Sequence, residues 1–105
     1  MKNVLVSWEL PTTRQQGGPL AIADIAFVRA ALSADDGANF TDVADVPSAQ
    51  AQEVPINDLP FSDQFVVRLT VHDTDGRIST PVDAAFSVAD DSAPGIVQNV
   101  TVTFP

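Results

Sequence analysis

The residue types that could support acid–base or nucleophilic chemistry lie near the single histidine, His72. Asp73 follows it directly and Ser79 comes soon after. A serine, a histidine and an aspartate can act together as nucleophile, general base and orienting acid. Alternation along the surrounding strand, however, places His72 on the outward side beside a turn. We therefore expect an exposed surface histidine, and we predict no catalytic residue and no enzymatic activity.

Aspartates are the second group that could do chemistry, because a hard cation such as Ca²⁺ prefers oxygen ligands. The segment Asp73-Thr74-Asp75-Gly76 has the start of a calcium loop, and Asp35-Asp36 and Asp90-Asp91 are shorter acidic pairs. The further ligand positions and the closing glutamate of such a loop are missing. Turn formation by Asp and Gly explains these segments. No glycine-rich phosphate loop is present either, so we predict no metal and no cofactor.

Charge and composition exclude several classes of partner. Five basic residues stand against fourteen acidic ones, for a net charge of −9, and such a field repels phosphate backbones and anionic lipids. No apolar run approaches the ~18 residues that span a bilayer. The chain has no cysteine, and its start runs into an alternating strand rather than the apolar block of a signal peptide. We expect no nucleic-acid binding, no membrane insertion, and synthesis in the cytoplasm without a signal peptide.

The elements that must position these residues are short segments of period-two alternation separated by turns. The clearest is residues 65–71, in which Phe65, Val67 and Leu69 alternate with Val66, Arg68 and Thr70. Such spacing, in a chain of 105 residues, predicts one antiparallel, all-β sandwich. An alanine-rich stretch at 26–34 leaves a helix open as an alternative there. The other alternating sets are Val4, Val6 and Trp8; Ile25 and Phe27; Phe40, Val43 and Val46; Val54 and Ile56; Val82, Ala84, Phe86 and Val88; and Val100, Val102 and Phe104.

The predicted core contains the large apolar residues on the inward side of these strands. Ile25 and Phe27 are expected to share one face because they are two residues apart. The full predicted core is Trp8, Ile25, Phe27, Leu59, Phe65, Val67 and Leu69.

The order of these segments resembles a fibronectin type III domain, an immunoglobulin-like β-sandwich. Trp8 followed by Pro11 is similar to that family's second strand and its proline-led turn. Leu59-Pro60 followed by the strand at 65–71 is similar to the approach to its sixth strand. The resemblance covers residues 4–88. Further matching pieces are Gly18-Pro19-Leu20-Ala21-Ile22, Asp36-Gly37 with Phe40 and Val43, and Asp73, Gly76, Arg77 and Ser79.

The chain departs from that family in three ways. Ile25 and Phe65 stand where the family usually has tyrosines, and Phe65 therefore keeps the packing of the corner tyrosine but loses its hydroxyl bond. Only Met1-Lys2-Asn3 precede Val4, so the resemblance implies that the first strand is missing at the N-terminus. The sequence instead predicts an additional C-terminal strand.

The predicted organisation is a sandwich at 1–88, a linker at 89–93 and a C-terminal strand at 94–105. In the family's topology that strand would have to return ~25 Å, seven residues at ~3.4 Å each, whereas the linker spans at most ~18 Å. One hypothesis is therefore addition to the open edge of a neighbouring subunit. Pairing with the chain's own last strand, and a loose tail that awaits another protein, stay open. The apolar residues of this assembly strand are Val97, Val100, Val102 and Phe104.

The functional expectation is a non-enzymatic structural protein that acts through protein–protein assembly. Sandwich domains of this kind resemble structural proteins of phage heads, tails and fibres, so the expected setting is a virion or extracellular particle surface. Its partners would be other protein subunits, in a homo-oligomer or a larger particle. This step rests on fold analogy.

The alternative is an adhesion or carbohydrate-binding module that recognises a host or cell surface through its loops. Few aromatic residues are available for stacking on sugars: the chain has one Trp and no Tyr. The candidate loop residues are Arg14, Gln15, Asp36, Asn39, Asp73, Asp75 and Arg77.

Overall fold

Two antiparallel β-sheets make up the protein in a computed structural model that describes residues 2–89, 97, 99 and 101–103. Six strands and one short 3-10 turn, Ile22–Asp24, are formed, and the described residues contain no α-helix. The all-β prediction is confirmed. The strands are β1 (Lys2–Ser7), β2 (Ile25–Ser33), β3 (Thr41–Pro47), β4 (Glu53–Leu59), β5 (Ser62–Asp73) and β6 (Val82–Val88).

The sheets differ in width. β1 pairs with β4 in a two-stranded sheet, and the other four strands form a sheet in the order β3-β2-β5-β6. The alanine-rich stretch at 26–34 lies almost entirely in β2, so the alternative of a helix there is wrong. The physical reason is tertiary, because β2 is hydrogen-bonded on both sides: Ala30 lies between Ala44 of β3 and Leu69 of β5.

The core lies between the facing sides of the two sheets. One buried cluster joins Ile56 and Leu59 of β4 to Phe65 of β5 and Val88 of β6. A second cluster joins Ala30, Val46 and Val54. Among the predicted core residues, Ile25, Leu59, Phe65 and Val67 are buried, while Trp8 and Leu69 are half-buried against the second cluster.

Trp8 connects β1 to the turn between β3 and β4. Its indole Nε1–H donates to Oε1 of Gln52 at 2.9 Å. The amide nitrogen of Gln52 in turn donates to the carbonyl oxygens of Pro47 and Gln50 at 3.0 and 2.8 Å. The indole N–H of the single tryptophan is therefore hydrogen-bonded while the ring packs on the core.

Phe27 is the one predicted core residue that lies on the other side of its sheet. The register of β2 against β5 shifts so that Ile25 faces Asp73 and Phe27 faces His72. Since Asp73 and His72 are consecutive, they point to opposite sides of the sheet. The expectation that Ile25 and Phe27 share a face is therefore wrong, because a β-bulge inserts one residue between their pairing positions.

The C-terminal segment is described only in part. Residues 90–96, 98, 100, 104 and 105 lie outside the described residues, so Asp90-Asp91, most of the predicted linker at 89–93, and Val100 and Phe104 of the assembly strand are not placed. The described residues 97, 99 and 101–103 do not belong to a strand. Val97 and Val102 are 82% and 80% exposed. Over the described part of the chain, no helix combines the length and the apolar character needed to cross a membrane.

Candidate functional site

The first candidate site is the edge of β1 that faces away from β4. Among the described residues β4 is the only strand paired with β1, so the second row of backbone N–H and C=O groups at residues 3–7 has no neighbouring strand there. Such a row is a template for pairing with another extended chain. The register of the existing pair runs from Lys2 opposite Leu59 to Ser7 opposite Glu53, with one irregularity near the start of β1.

The open edge of β1 lies on the β6 side of the sandwich. β4 contacts β3 on the far side, while Val4 of β1 packs on the same cluster as Phe86 and Val88 of β6. A two-stranded sheet covers only part of a four-stranded one, because neighbouring strands are about 4.8 Å apart. The inner side of the first half of β6, at Val82 and Ala84, is consequently left uncovered by β1 and β4, whereas Phe86 and Val88 are packed.

Exposed apolar residues mark this uncovered strip. Val82 and Ala84 lie opposite Leu69 and Val67, which places their side chains on the core side of the sheet. Both are nevertheless exposed, Val82 to 67%. The open edge of β1 and the exposed inner side of β6 at Val82 and Ala84 together form what we call the acceptor groove.

The loop residues predicted as a binding surface are divided between the two ends of the sandwich. At one end, the 12–20 loop meets the turn between β5 and β6. Gln15 there donates to Oγ1 of Thr80 at 2.8 Å and accepts the Thr80 backbone N–H at 2.7 Å. Asp36 and Asn39 lie at the other end, where the Asp36 N–H donates to the carbonyl of Gln64. The structure therefore does not bring the seven predicted loop residues into one site.

Asp73 organises the first of these ends. Its side chain is buried and accepts hydrogen bonds from the backbone N–H groups of Asp75 and Arg77 at 3.0 and 2.7 Å. It also accepts one from the Arg14 guanidinium at 3.1 Å, while the Arg77 guanidinium lies 3.5 Å away. Burial by itself raises the pKa of Asp73, but the Arg77 backbone N–H and the Arg14 guanidinium outweigh it and lower the pKa. Asp73 thus serves as a structural anchor for two loops.

His72 is buried, so the expectation of an exposed histidine is wrong. Its ring stacks on Phe27 with 4.4 Å between centroids, and its Nε2 lies 3.1 Å from Oγ1 of Thr70. The bulge in β2 brings Phe27 opposite His72, and an isolated bridge with Ile78 brings the following loop alongside.

The serine near this histidine is engaged with the backbone. Ser79 Oγ accepts the Val71 N–H at 2.9 Å and donates to the Thr80 carbonyl at 3.2 Å. Asp73 binds Arg14, as described above, rather than the imidazole. The three residue types considered for acid–base chemistry therefore each take part in local structure.

Two arginine–aspartate pairs cross the outer side of the wide sheet. Arg29 binds both carboxylate oxygens of Asp45 at 2.8 and 3.1 Å, and Arg68 binds those of Asp83 at 2.8 and 2.9 Å. Each arginine lowers the pKa of its aspartate through the hydrogen bonds. The Arg68 guanidinium also lies 4.0 Å from the ring centroid of Phe40. Sequence reasoning missed these pairs. The arginine and aspartate are 16 residues apart in the first pair and 15 in the second, and only the pairing of the strands brings them together.

Asp35 organises the turn at the other end of the sandwich. Its carboxylate accepts the side-chain amide and backbone N–H of Asn39 at 2.7 and 2.9 Å and the Ser33 hydroxyl at 2.7 Å. The Asn39 amide first, then the Ser33 hydroxyl, lowers the pKa of Asp35 to about 2. The Asp35-Asp36 pair is thus part of a hydrogen-bonded turn.

We expect the protein to lose stability as the pH falls from about 4 to about 2. A carboxyl whose pKa is lower in the folded state stabilises the fold above its unfolded-state pKa, and this contribution disappears as the folded carboxyl is protonated. Thermal unfolding across that pH range measures the loss. Asp35→Asn should lower the Tm by a few degrees at neutral pH and reduce the acid-dependent loss. Asp36→Asn is the matched control, since the exposed Asp36 carboxylate makes none of these bonds; equal pH profiles for both variants would contradict the assignment.

Two further observations bear on function: the arrangement of metal-ligating residue types and the comparison with known proteins. In the described part of the chain, no group of three or more His, Asp or Glu side chains is arranged to hold a metal ion. Comparison with protein-family models, curated proteins and solved structures finds no significant match to this chain.

Proposed function

We propose that this protein is a non-enzymatic structural protein that joins other protein subunits through the acceptor groove. One observation carries the proposal: β1 has a strand partner on one side only among the described residues, and the adjoining inner side of β6 exposes Val82 and Ala84. A groove with a backbone template on one wall and apolar side chains on the other fits an extended polypeptide.

The chemistry of the groove favours a protein strand over other ligands. Strand addition takes its affinity from backbone hydrogen bonds and its specificity from alternate side chains that enter apolar positions. The net charge of −9 disfavours nucleic acid and anionic lipid surfaces. The partner would therefore be a protein subunit that presents an extended segment with apolar residues at every second position.

The setting that we propose is a virion head or tail, or another extracellular particle. The support for this finer assignment is the sequence resemblance to fibronectin type III domains together with their use in phage structural proteins. A module that attaches by adding a strand suits a particle with many identical copies of each subunit.

The proposal is tested by following the protein into particles purified on a density gradient from the producing cells. Val82→Asp places a charge in the acceptor groove and should reduce the amount of protein in the particle fraction at least about tenfold. Ala85→Asp is the matched control. It adds the same charge to the same strand but opposite Val66, on the outer side of the sheet.

The two variants together test whether the protein enters particles through the acceptor groove. Loss of Val82→Asp from particles, with Ala85→Asp retained and with equal Tm values for both, supports assembly through the groove. If the wild-type protein does not co-sediment with any particle, or if both variants are incorporated equally, the proposed function is wrong.

A second candidate function is recognition of a host or cell surface by the end of the sandwich that Asp73 organises. It is favoured by the convergence of two loops at which Arg77 and Ile78 are exposed. Binding of the purified protein to a glycan array, and its loss in Arg77→Glu, would support this candidate. Retention of glycan binding in Val82→Asp would separate it from assembly through the groove.

A further inference from the structure

We infer that the occupant of the acceptor groove is residues 97–104 of a second copy of this chain. The inference rests on the proposed function, because it names the partner for the same groove. It makes the protein self-assembling, with each copy donating one strand and accepting another.

The described valines of the donor segment are exposed, and the sequence around them alternates between apolar and polar residues. Val97 and Val102 are 82% and 80% exposed, although valine is among the residues most often buried. In the sequence, Val100, Val102 and Phe104 alternate with Thr101 and Thr103, as in a strand with one apolar face and one hydroxyl face. Residues 100–104 therefore have the pattern that a one-sided groove requires, whereas Val97 falls on the side of Thr101 and Thr103.

The donor segment is long enough to pair along β1, and its apolar side fits the apolar side of the groove. β1 is six residues long, and the donor segment has eight. Paired along β1, the segment would extend the two-stranded sheet to three strands and cover the exposed inner side of β6 at Val82 and Ala84. Its apolar face would then meet Val82 and Ala84, while its threonines would face solvent on the side where Leu5 is exposed.

Charge favours the same occupant. Residues 94–105 contain no charged side chain, in a chain whose net charge is −9. A neutral segment enters the groove of another acidic copy without adding like charge at the contact. The remaining repulsion between the domains is long-range and is screened by salt, so self-assembly should become stronger as the ionic strength rises.

A second copy would cover two apolar surfaces that are exposed among the described residues of one chain. Val82 in the groove and Val102 in the donor segment are exposed in the same chain. Since donor and groove are different patches, the contact is head-to-tail, and repeating it gives a closed ring or an open filament.

The first test is the mass of the full chain by light scattering over a concentration series up to about 1 mM. We expect mass to rise with concentration for the wild type. Val102→Asp should weaken association by about 100-fold, because it would bury a charge without a partner. Thr103→Asp, with the same added charge on the other face of the segment, should associate like the wild type. A wild type that is monomeric throughout, or equal effects of the two substitutions, overturns the inference.

A mixing experiment identifies the donor and the acceptor. Val82→Asp keeps a functional donor segment, and Val102→Asp keeps a functional groove. Each alone should be monomeric, whereas an equimolar mixture should form a 1:1 dimer that does not grow further. If the mixture stays monomeric while the wild type associates, the contact lies elsewhere and the inference is wrong.

The outcome is distinguishable from failure of the proposed function. Suppose that incorporation into particles depends on Val82 but the purified protein is monomeric: the groove then accepts a strand from a different subunit, and only the identity of the donor is wrong. If the purified protein exchanges strands but is found in no particle, the self-assembly stands and the structural role in a particle fails.

Discussion

Replacing Phe65 with alanine is expected to lower the free energy of unfolding by about 3 to 5 kcal/mol. Phe65 is 3% exposed, lies in the cluster with Ile56, Leu59 and Val88, and stacks on Phe86 with 5.3 Å between ring centroids. Truncation removes the apolar contact and leaves a cavity between two sheets that cannot close fully. Because small domains are stable by only about 5 to 15 kcal/mol, the variant would be close to unfolding at 37 °C.

Phe61→Ala is the matched control for this prediction. The substitution is chemically identical, but Phe61 is 68% exposed, so the expected change lies within about 0.5 kcal/mol. Urea unfolding followed by the fluorescence of the single tryptophan measures both variants. If Phe65→Ala lowered the free energy of unfolding no more than Phe61→Ala, Phe65 would not be part of the buried core.

Asp73→Ala is expected to loosen both loops at its end of the sandwich. The substitution removes the acceptor of the Asp75 and Arg77 backbone N–H groups and the partner of the Arg14 guanidinium. Groups that lose a buried partner are costly to leave unpaired. We expect the amides of residues 75 and 77 to exchange with solvent at least about tenfold faster, and the Tm to fall.

Asp75→Ala tests whether the effect is specific to the anchor. Asp75 lies in the same turn, but its side chain is 70% exposed and pairs with Arg77 at 3.6 Å. We expect little change in amide exchange or in Tm for this control. Similar exchange rates in the two variants would show that Asp73 does not hold the turn.

This anchor also bears on the two functional candidates. If the end organised by Asp73 recognised a ligand, Asp73→Ala would abolish binding by disordering the 12–20 loop and the β5–β6 turn together. Assembly through the acceptor groove should survive the same substitution, because the groove is formed by β1 and by the inner side of β6. The variant therefore separates the two proposals in a single protein.

Much of the fold could be predicted from local pattern. Alternation is a property of neighbouring residues, and a strand with one apolar face must bury that face. For this reason β5 and the burial of Phe65 and Leu59 follow from the sequence. The aspartate-rich turns also follow locally, since Asp and Gly favour turns for reasons within a few residues.

The positions that sequence reasoning placed wrongly are those where one strand meets another. The bulge in β2 moves Phe27 to the outer side and covers His72, and nothing in the alternation of residues 25–33 signals that extra residue. The contact of Arg14 with Asp73 joins residues 59 positions apart. Such contacts depend on how the strands are ordered, which a single sequence does not display.

The candidate site likewise combines features that could be predicted from the sequence with features that could not. The alternation of residues 100–104, the lack of charged side chains at 94–105 and the net charge of −9 could be taken from the sequence, because charge and side-chain order are properties of the chain. That β1 lies on the β6 side of the sandwich, and that Val82 and Ala84 of β6 remain exposed, depends on the folded chain. The physical reason is that an uncovered strip is a difference in width between two sheets, and this difference exists only once the strands have been paired and packed.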